Sequence, residues 1–324
     1  MPRIGFSGAG FIAGIHAELL ASMEDAEVVA VFDADPAQAE AFASKAGARV
    51  VPSYEALLEE VDAVYVCSPN LVHAEMAVAA LDAGKHVFCE KPPAISLEDV
   101  RRVREATERA QGVYQLGLNQ RFAPVHRAVH ERIASGALTP RWAHVKMNRG
   151  QLLQPPWVAD ASLTGGFLFE TAIHVLDVMM WLFGPVEEVV CRAAQTCAPQ
   201  LDDFAMLLTF QSGLTATFGS SGHTTPLVPF QRLEVYGEYA TAVTSEADSV
   251  TFQLAVDAQP ETLDASDLPW SERWGYRAED EAFLAALRGE APSPVGAAAA
   301  ERVVALIDAC YRAAESREVV RLDA

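Results

Sequence analysis

Arg3-Ile4-Gly5-Phe6-Ser7-Gly8-Ala9-Gly10-Phe11-Ile12-Ala13-Gly14-Ile15-His16 opens the chain, and its reading decides the fold. The apolar run Ile4–Ser7 predicts a strand, and an apolar helical pattern follows the glycines. Strand, GxGxxA turn and helix in that order form the first half of a dinucleotide-binding βαβ unit. Gly8 permits the tight turn. Gly10 lets the backbone approach a pyrophosphate, and Ala13 is small enough for helix and strand to close on each other. Phe11 and Ile12 fall in the first helical turn, whose unpaired N–H groups and positive dipole end suit phosphate.

Such a unit needs an acid at the end of its second strand, about twenty residues on, to bind the adenosine ribose hydroxyls. Asp33, closing the apolar run Val28–Asp33, meets that need. No Arg or Lys lies between Asp33 and Lys45 to pair with a 2′-phosphate. The cofactor expected is therefore NAD, with NADP disfavoured.

Outward from this turn, short apolar runs alternate with amphipathic stretches as far as Arg121. Strands are predicted at Ile4–Ser7, Val28–Asp33, Ala63–Ser68, His86–Glu90 and Val113–Leu118, and helices at Pro36–Ala46, Ser53–Glu60, Val72–Ala83 and Ser96–Ala110. This alternation means a parallel sheet. After Pro124–Ser135, a further helix, the pattern changes to longer alternating strands at Trp142–Arg149, Val186–Gln195, Phe204–Gln211, Leu214–Ser220, Gln231–Tyr236 and Val250–Leu254. Short turns between consecutive strands predict an antiparallel sheet. Helices near Ala278–Arg288 and Gly296–Glu315 and a strand at Glu318–Leu322 close the chain. The expected domains are 1–121, dinucleotide-binding, and 122–324, which would hold substrate and make subunit contacts.

Composition narrows the partners. With 324 residues, 51% of them hydrophobic and 21% charged, the chain has the balance of a soluble two-domain protein. A net charge of −20 argues against nucleic acid and anionic membrane surfaces. No run is apolar enough to span a bilayer, and no charged segment precedes an apolar one at the start, so a cytoplasmic protein is expected. The five cysteines have no CxxC or metal-like spacing, so no metal is expected.

Glu170, His174 and Asp177 are spaced by four and three residues, which on an α-helix places them on one stripe, continued by Trp181. The rest of that helix is apolar all round, so it should be buried. Buried carboxylates and imidazoles are costly unless paired or used. Lys91 follows the fourth predicted strand, where loops of an open α/β sheet face the ligand crevice, and Pro92 and Pro93 stiffen the chain beyond it. A lysine there can hold a substrate oxygen as it gains negative charge. His174 can take the proton of an alcohol, since imidazole titrates near neutrality. Glu170 or Asp177 would orient or charge-balance it. Arg149, Gln151 and Trp157 could line a substrate pocket, and Asp177 could bind substrate hydroxyls.

The chain resembles the family of glucose–fructose oxidoreductase and inositol dehydrogenase over nearly its full length. The matching segments are Gly8–Ala13 with His16, Ser68-Pro69-Asn70 with His73, Glu90-Lys91-Pro92, Asn119-Gln120-Arg121-Phe122, and Gly165-Gly166 leading to His174-x-x-Asp177. The resemblance implies an α/β Rossmann domain plus an α+β domain with an open, mostly antiparallel sheet. It implies hydride transfer between a nicotinamide and a sugar, polyol or inositol-like carbinol. Lys91 and His174 match the positions that catalytic members use. The resemblance assigns Ser68, Pro69, Asn70, His73, Glu90, Lys91 and Gln120 to the cofactor beside the glycine turn and Asp33. Members commonly carry Asp four residues before the histidine, where this chain has Glu170. The fold also hosts NAD-dependent glycosidases and non-catalytic NAD or sugar sensors; the latter tend to lose the lysine or the histidine, and this chain keeps both. A double-bond or imine reductase is a third reading. The resemblance further implies subunits paired through their sheets, in a homodimer or homotetramer.

Asp33 gives the first test. Its negative charge should make the protein prefer NAD, and Asp33→Ser should narrow that preference. Tighter binding of NADP than NAD by the unmodified protein, measured by fluorescence titration, would refute the assignment.

Overall fold

The structure is a computed structural model that describes residues 1–149, 156–225 and 229–322. In chain order it begins with β1 (Arg3–Ser7), α1 (Phe11–Ala21), β2 (Glu27–Phe32), α2 (Pro36–Ala46), β3 (Arg49–Val50) and α3 (Tyr54–Glu60). Then come β4 (Ala63–Val66), α4 (His73–Asp82), β5 (His86–Glu90), α5 (Leu97–Arg109), β6 (Tyr114–Gly117), α6 (Pro124–Ala134) and β7 (Pro140–Met147). The middle holds α7 (Ala161–Thr164), α8 (Ile173–Phe183), β8 (Val186–Ala194), β9 (Asp203–Phe210), β10 (Thr215–Ser221) and β11 (Gln231–Gly237). The last elements are β12 (Thr241–Ser245), β13 (Ser249–Gln253), β14 (Glu261–Asp264), α9 (Trp270–Arg273), α10 (Tyr276–Leu287), α11 (Ala297–Ser316) and β15 (Val320–Arg321).

Two compact units result: Met1–Leu118 with Tyr276–Val304, and Asn119–Gly275 with Ala305–Ala324. The sequence-based boundary at residue 121 falls close to the first division. Within the expected span 122–324, the segment Tyr276–Val304 packs with the first unit. The physical reason is the apolar face of α10: Phe283 and Leu284 are buried in the first unit's core.

In the first unit the parallel strands run β3-β2-β1-β4-β5-β6. Strand order reverses between β1 and β4, which is where open sheets of this kind bind ligands at their carboxyl ends. The core is an aromatic stack. Tyr65 lies 5.0 Å from Phe6 and 4.5 Å from Phe88, and Phe283 meets Tyr65 edge-on at 5.5 Å. Local signals set the helix ends. Asp35 caps α2 by accepting from the Ala37 N–H at 2.9 Å, Pro36 occupies its first turn, and Gly47 closes it at φ +69°.

The second unit has the order β14-β13-β12-β11-β7-β10-β9-β8-β15. All its pairs are antiparallel except β7 with β10. Phe204, Met206, Leu208 and Phe210 share the buried face. The helical segment packs on it: Phe167 stacks on Phe204 at 5.8 Å, and Phe183 meets Phe210 edge-on at 5.5 Å. β3, β12 and β14 are absent from the sequence-based reading. β3 has two residues, β12 has no large apolar side chain, and β14 is fully exposed and carries acids, as suits a protected sheet edge.

One local expectation is corrected. Glu170 does not sit on an uninterrupted α-helix with His174. Leu168–Ala172 is a π-helical turn, and α8 begins at Ile173. A π turn takes more residues per revolution, so the four-residue spacing no longer places the two side chains on one ideal stripe.

Candidate active site

The cofactor half belongs to the first unit. Gly8 adopts φ +95°, and a Cβ there would stand 2.5 Å from the carbonyl carbon and oxygen of Cys67, so only glycine fits. Its N–H donates to Phe32 O at 2.8 Å. Gly10 is the N-cap of α1, with no side-chain cap and no acid in the first turn, and a Cβ at Gly10 would point into open space. A bare helix start beside an open glycine is the donor set that a pyrophosphate requires. Phe11, in that first turn, is 78% exposed, whereas Ala13 is fully buried against the sheet. Asp33 is tied to the same loop. One carboxylate oxygen accepts from the Ala9 N–H at 2.7 Å and the other from Asp35 at 2.8 Å. The residues present therefore fit a dinucleotide.

Two further loops border this turn. The segment Ser68-Pro69-Asn70 follows β4, and Asn70 is buried. The Lys91–Pro92 peptide after β5 is cis. His73 ties the two loops together: its ring spans Ser68 O at 2.6 Å and Pro92 O at 2.7 Å. The ring is 1% exposed and lies between the two loops, so His73 ties them together. Glu90 stands at the end of β5, and its Oε2 accepts from the Lys91 N–H at 3.0 Å.

The second unit carries the other candidate residues. Gly166 adopts φ +101°, and a Cβ there would stand 2.5 Å from the Tyr311 hydroxyl. That hydroxyl accepts from the Leu168 N–H at 3.1 Å, which fixes the start of the π turn bearing Glu170. His174 and Glu170 are half-buried, and Asp177 is fully buried. Asp177 is gripped by Arg121, with Nε 2.6 Å from Oδ2 and Nη2 on Oδ1, in the bidentate geometry of the strongest carboxylate pairs. Its carboxylate therefore ties α8 to the Asn119–Phe122 turn. Gln120, a cofactor candidate, lies in that same turn. Its amide is paired reciprocally with Gln231, at 3.0 and 2.9 Å, within the second unit. Arg149 lies over the Phe230 ring at 5.5 Å, and Trp157 is 47% exposed. Gln151 lies outside the described residues.

The matched sequence profiles agree with this geometry. Residues 2–118 match the family described as an oxidoreductase family with an NAD-binding Rossmann fold, and residues 133–322 match its C-terminal alpha/beta domain. The chain belongs to the Gfo/Idh/MocA oxidoreductase family. Its first unit is the NAD-binding Rossmann part of that oxidoreductase family. Inositol 2-dehydrogenase of Rhizobium meliloti is 30% identical over 98% of both chains. Myo-inositol 2-dehydrogenase of Thermotoga maritima is 28% identical over 99% of this chain and 98% of its own. The crystal structure of a putative myo-inositol dehydrogenase from Sinorhizobium meliloti superposes with a TM-score of 0.85 at 26% identity, covering all of both chains.

Several contacts of the family site escaped the sequence. Arg121 belongs to a recognised motif, but nothing in its spacing pairs it with Asp177. Tyr311 sits in a long amphipathic helix and carries no motif at all.

The Arg121–Asp177 pair is testable. Arg121→Met strips a fully buried carboxylate of its cation, which should cost about 3–5 kcal/mol in urea unfolding. Adding Asp177→Leu should recover much of that loss. A single variant as stable as the parent would show that the pair does not anchor α8.

Proposed function

We propose that this chain transfers a hydride between NAD and a secondary alcohol of a sugar, polyol or inositol-like ring. NAD, when bound, supplies the two-electron acceptor. The observation that carries the reading is that both Lys91 and His174 are present in a chain whose glycine turn fits the dinucleotide. Full-length relatives named as inositol dehydrogenases favour net alcohol oxidation over a glycosidase or a non-catalytic sensor.

As the alcohol carbon is oxidised, its hydroxyl proton must leave. His174 takes that proton, and Lys91 holds the oxygen while negative charge develops there. Glu170 balances the charge on His174. Arg149 and Trp157, in the segment before α8, are assigned to the substrate. Gly8, Gly10, Phe11, Ile12, Ala13 and Asp33 hold the cofactor, with Ser68, Pro69, Asn70 and Glu90 on the adjoining loops.

The same reading extends to location and assembly. All five cysteines are free, which fits a reducing compartment such as the cytoplasm. Among the described residues, no helix is long and apolar enough to cross a membrane. The outer sheet face bears Ala205, Leu207, Thr209, Thr215 and Thr217 on adjacent strands, and Leu207 is 41% exposed. Charged residues flank this strip on both sides, Glu188 and Arg192 on β8 and Lys146 on β7. An uncharged centre with a charged rim has the anatomy of a subunit contact. A homodimer or homotetramer with an isologous contact on this face follows.

Lys91→Met and His174→Ala should each lower kcat by roughly a hundredfold or more while NAD still binds, the usual loss for a positioned acid–base group. Glu170→Asp should be milder, because it keeps the charge. The assay is NADH absorbance over inositols, aldoses and sugar acids; near-normal turnover in either variant removes that residue from the mechanism. For assembly, light scattering should give an oligomeric mass that Leu207→Lys with Thr215→Lys reduces. A monomeric parent, or an oligomer indifferent to both lysines, refutes the contact.

A further inference from the structure

A second ionisable cluster is buried in the first unit, and the proposed mechanism does not use it. His16 lies on α1, one turn beyond the cofactor glycines, and is fully buried. Its Nδ1 stands 2.8 Å from Asp280 Oδ1 on α10, and its Nε2 stands 3.1 Å from Glu90 Oε1 at the end of β5. Tyr65 on β4 donates its hydroxyl to the same Asp280 oxygen at 3.1 Å. The other Glu90 oxygen accepts the Lys91 N–H. A continuous chain of hydrogen bonds thus runs from α10 through α1 to the backbone of Lys91.

The surroundings fit this arrangement. Gly117 on β6 leaves room for the carboxylate: a Cβ there would stand 3.1 Å from Glu90 Oε1, closer than nearly all real contacts. Tyr65, Phe88 and Tyr276 ring the imidazole at 5.4, 4.9 and 5.9 Å and exclude water from it. Burial alone would lower the His16 pKa. Asp280, with help from Glu90, outweighs it and holds the ring cationic well above its ordinary range. Burial raises the Asp280 carboxyl as well, against the pull of the His16 charge, and shifts the other neighbours toward their neutral forms. Burial and the nearby Glu90 charge push the Glu279 carboxyl far up, and burial does the same to the Tyr65 hydroxyl and the Cys67 thiol.

We propose that His16 and Asp280 are positioning residues for Lys91: Asp280 orients the His16 ring, the ring fixes the Glu90 carboxylate, and that carboxylate holds the Lys91 backbone. This rests on Lys91 being the group that holds the substrate oxygen. A ring bonded on both sides is a double donor only while cationic, so the relay needs the charge that Asp280 sustains. Misplacing a catalytic group by about an ångström costs on the order of a hundredfold in rate.

The test compares Asp280→Asn, His16→Gln and His16→Phe with Lys91→Met in the full-length protein, by kcat, NAD affinity and thermal unfolding. Asp280→Asn is isosteric but removes the main charge that keeps the ring protonated. Its kcat should fall roughly tenfold to a hundredfold at pH 8. The loss should deepen as pH rises, adding a limb that the parent profile lacks, while NAD affinity is unchanged. His16→Gln keeps one donor toward Glu90 and should retain more activity than His16→Phe. If His16→Phe fails to fold, Asp280→Asn decides alone. A parent-like kcat and pH profile in folded Asp280→Asn, with Lys91→Met inactive, overturns this inference and leaves the catalytic assignment standing. An active Lys91→Met overturns both.

Discussion

Backbone meets backbone at Gly8, and the cofactor unit is arranged around that approach. The loop after β1 presses on the start of the loop after β4, with no room for a single methyl group between them. The glycine turn, the Asp33 carboxylate and the Ser68-Pro69-Asn70 segment are thereby gathered at the carboxyl ends of adjacent parallel strands. The switch in strand order opens that end of the sheet, and the helix dipole supplies its polarity. His73 extends the arrangement to the Lys91 turn, its ring lying between the Ser68 and Pro92 carbonyls.

The second unit solves a different problem, which is to place polar groups on a helix that is otherwise core. Asp177 is tolerable there because Arg121 meets it with two N–H groups in a fork geometry. The π turn ahead of α8 is held from outside by the Tyr311 hydroxyl, in a gap that only Gly166 leaves open. π turns of this kind concentrate at functional sites, where they re-aim side chains at some cost in regular hydrogen bonding. Here the turn carries Glu170, the residue at which the chain departs from the commoner family pattern.

Much of this was legible in the sequence because the relevant signals are local. The glycine turn, Asp33, the Pro36 and Asp35 helix start, and the alternation of Phe204 to Phe210 each depend on neighbours a few residues away. The partners were not legible. His16 and Asp280 are 264 positions apart, and Gln120 and Gln231 are 111 apart; no spacing rule links residues that only the fold brings together. Gln120 and His73 stood out as cofactor candidates by resemblance, but their partners within the protein did not. The π turn was hidden for another reason. One extra residue in a helical revolution leaves the apolar pattern nearly intact, so Glu170 and His174 kept their helical spacing on paper. Short or exposed strands such as β3 and β14 bury too little to leave a pattern.

The return of Tyr276–Val304 to the first unit also fixes an order of assembly. A chain emerging from the ribosome makes the glycine turn, all six parallel strands and Lys91 long before it makes α10. Until then, Tyr65 and Phe88 lack the edge of Phe283, and His16 lacks the carboxylate that makes its burial tolerable. The first unit therefore cannot complete itself in the order of synthesis; it must wait, partly formed, while the whole of the second unit's nine-stranded sheet except β15 is produced. A fragment cut after residue 121 would contain every cofactor motif visible in the sequence and still lack the buried counter-charge of its own first helix.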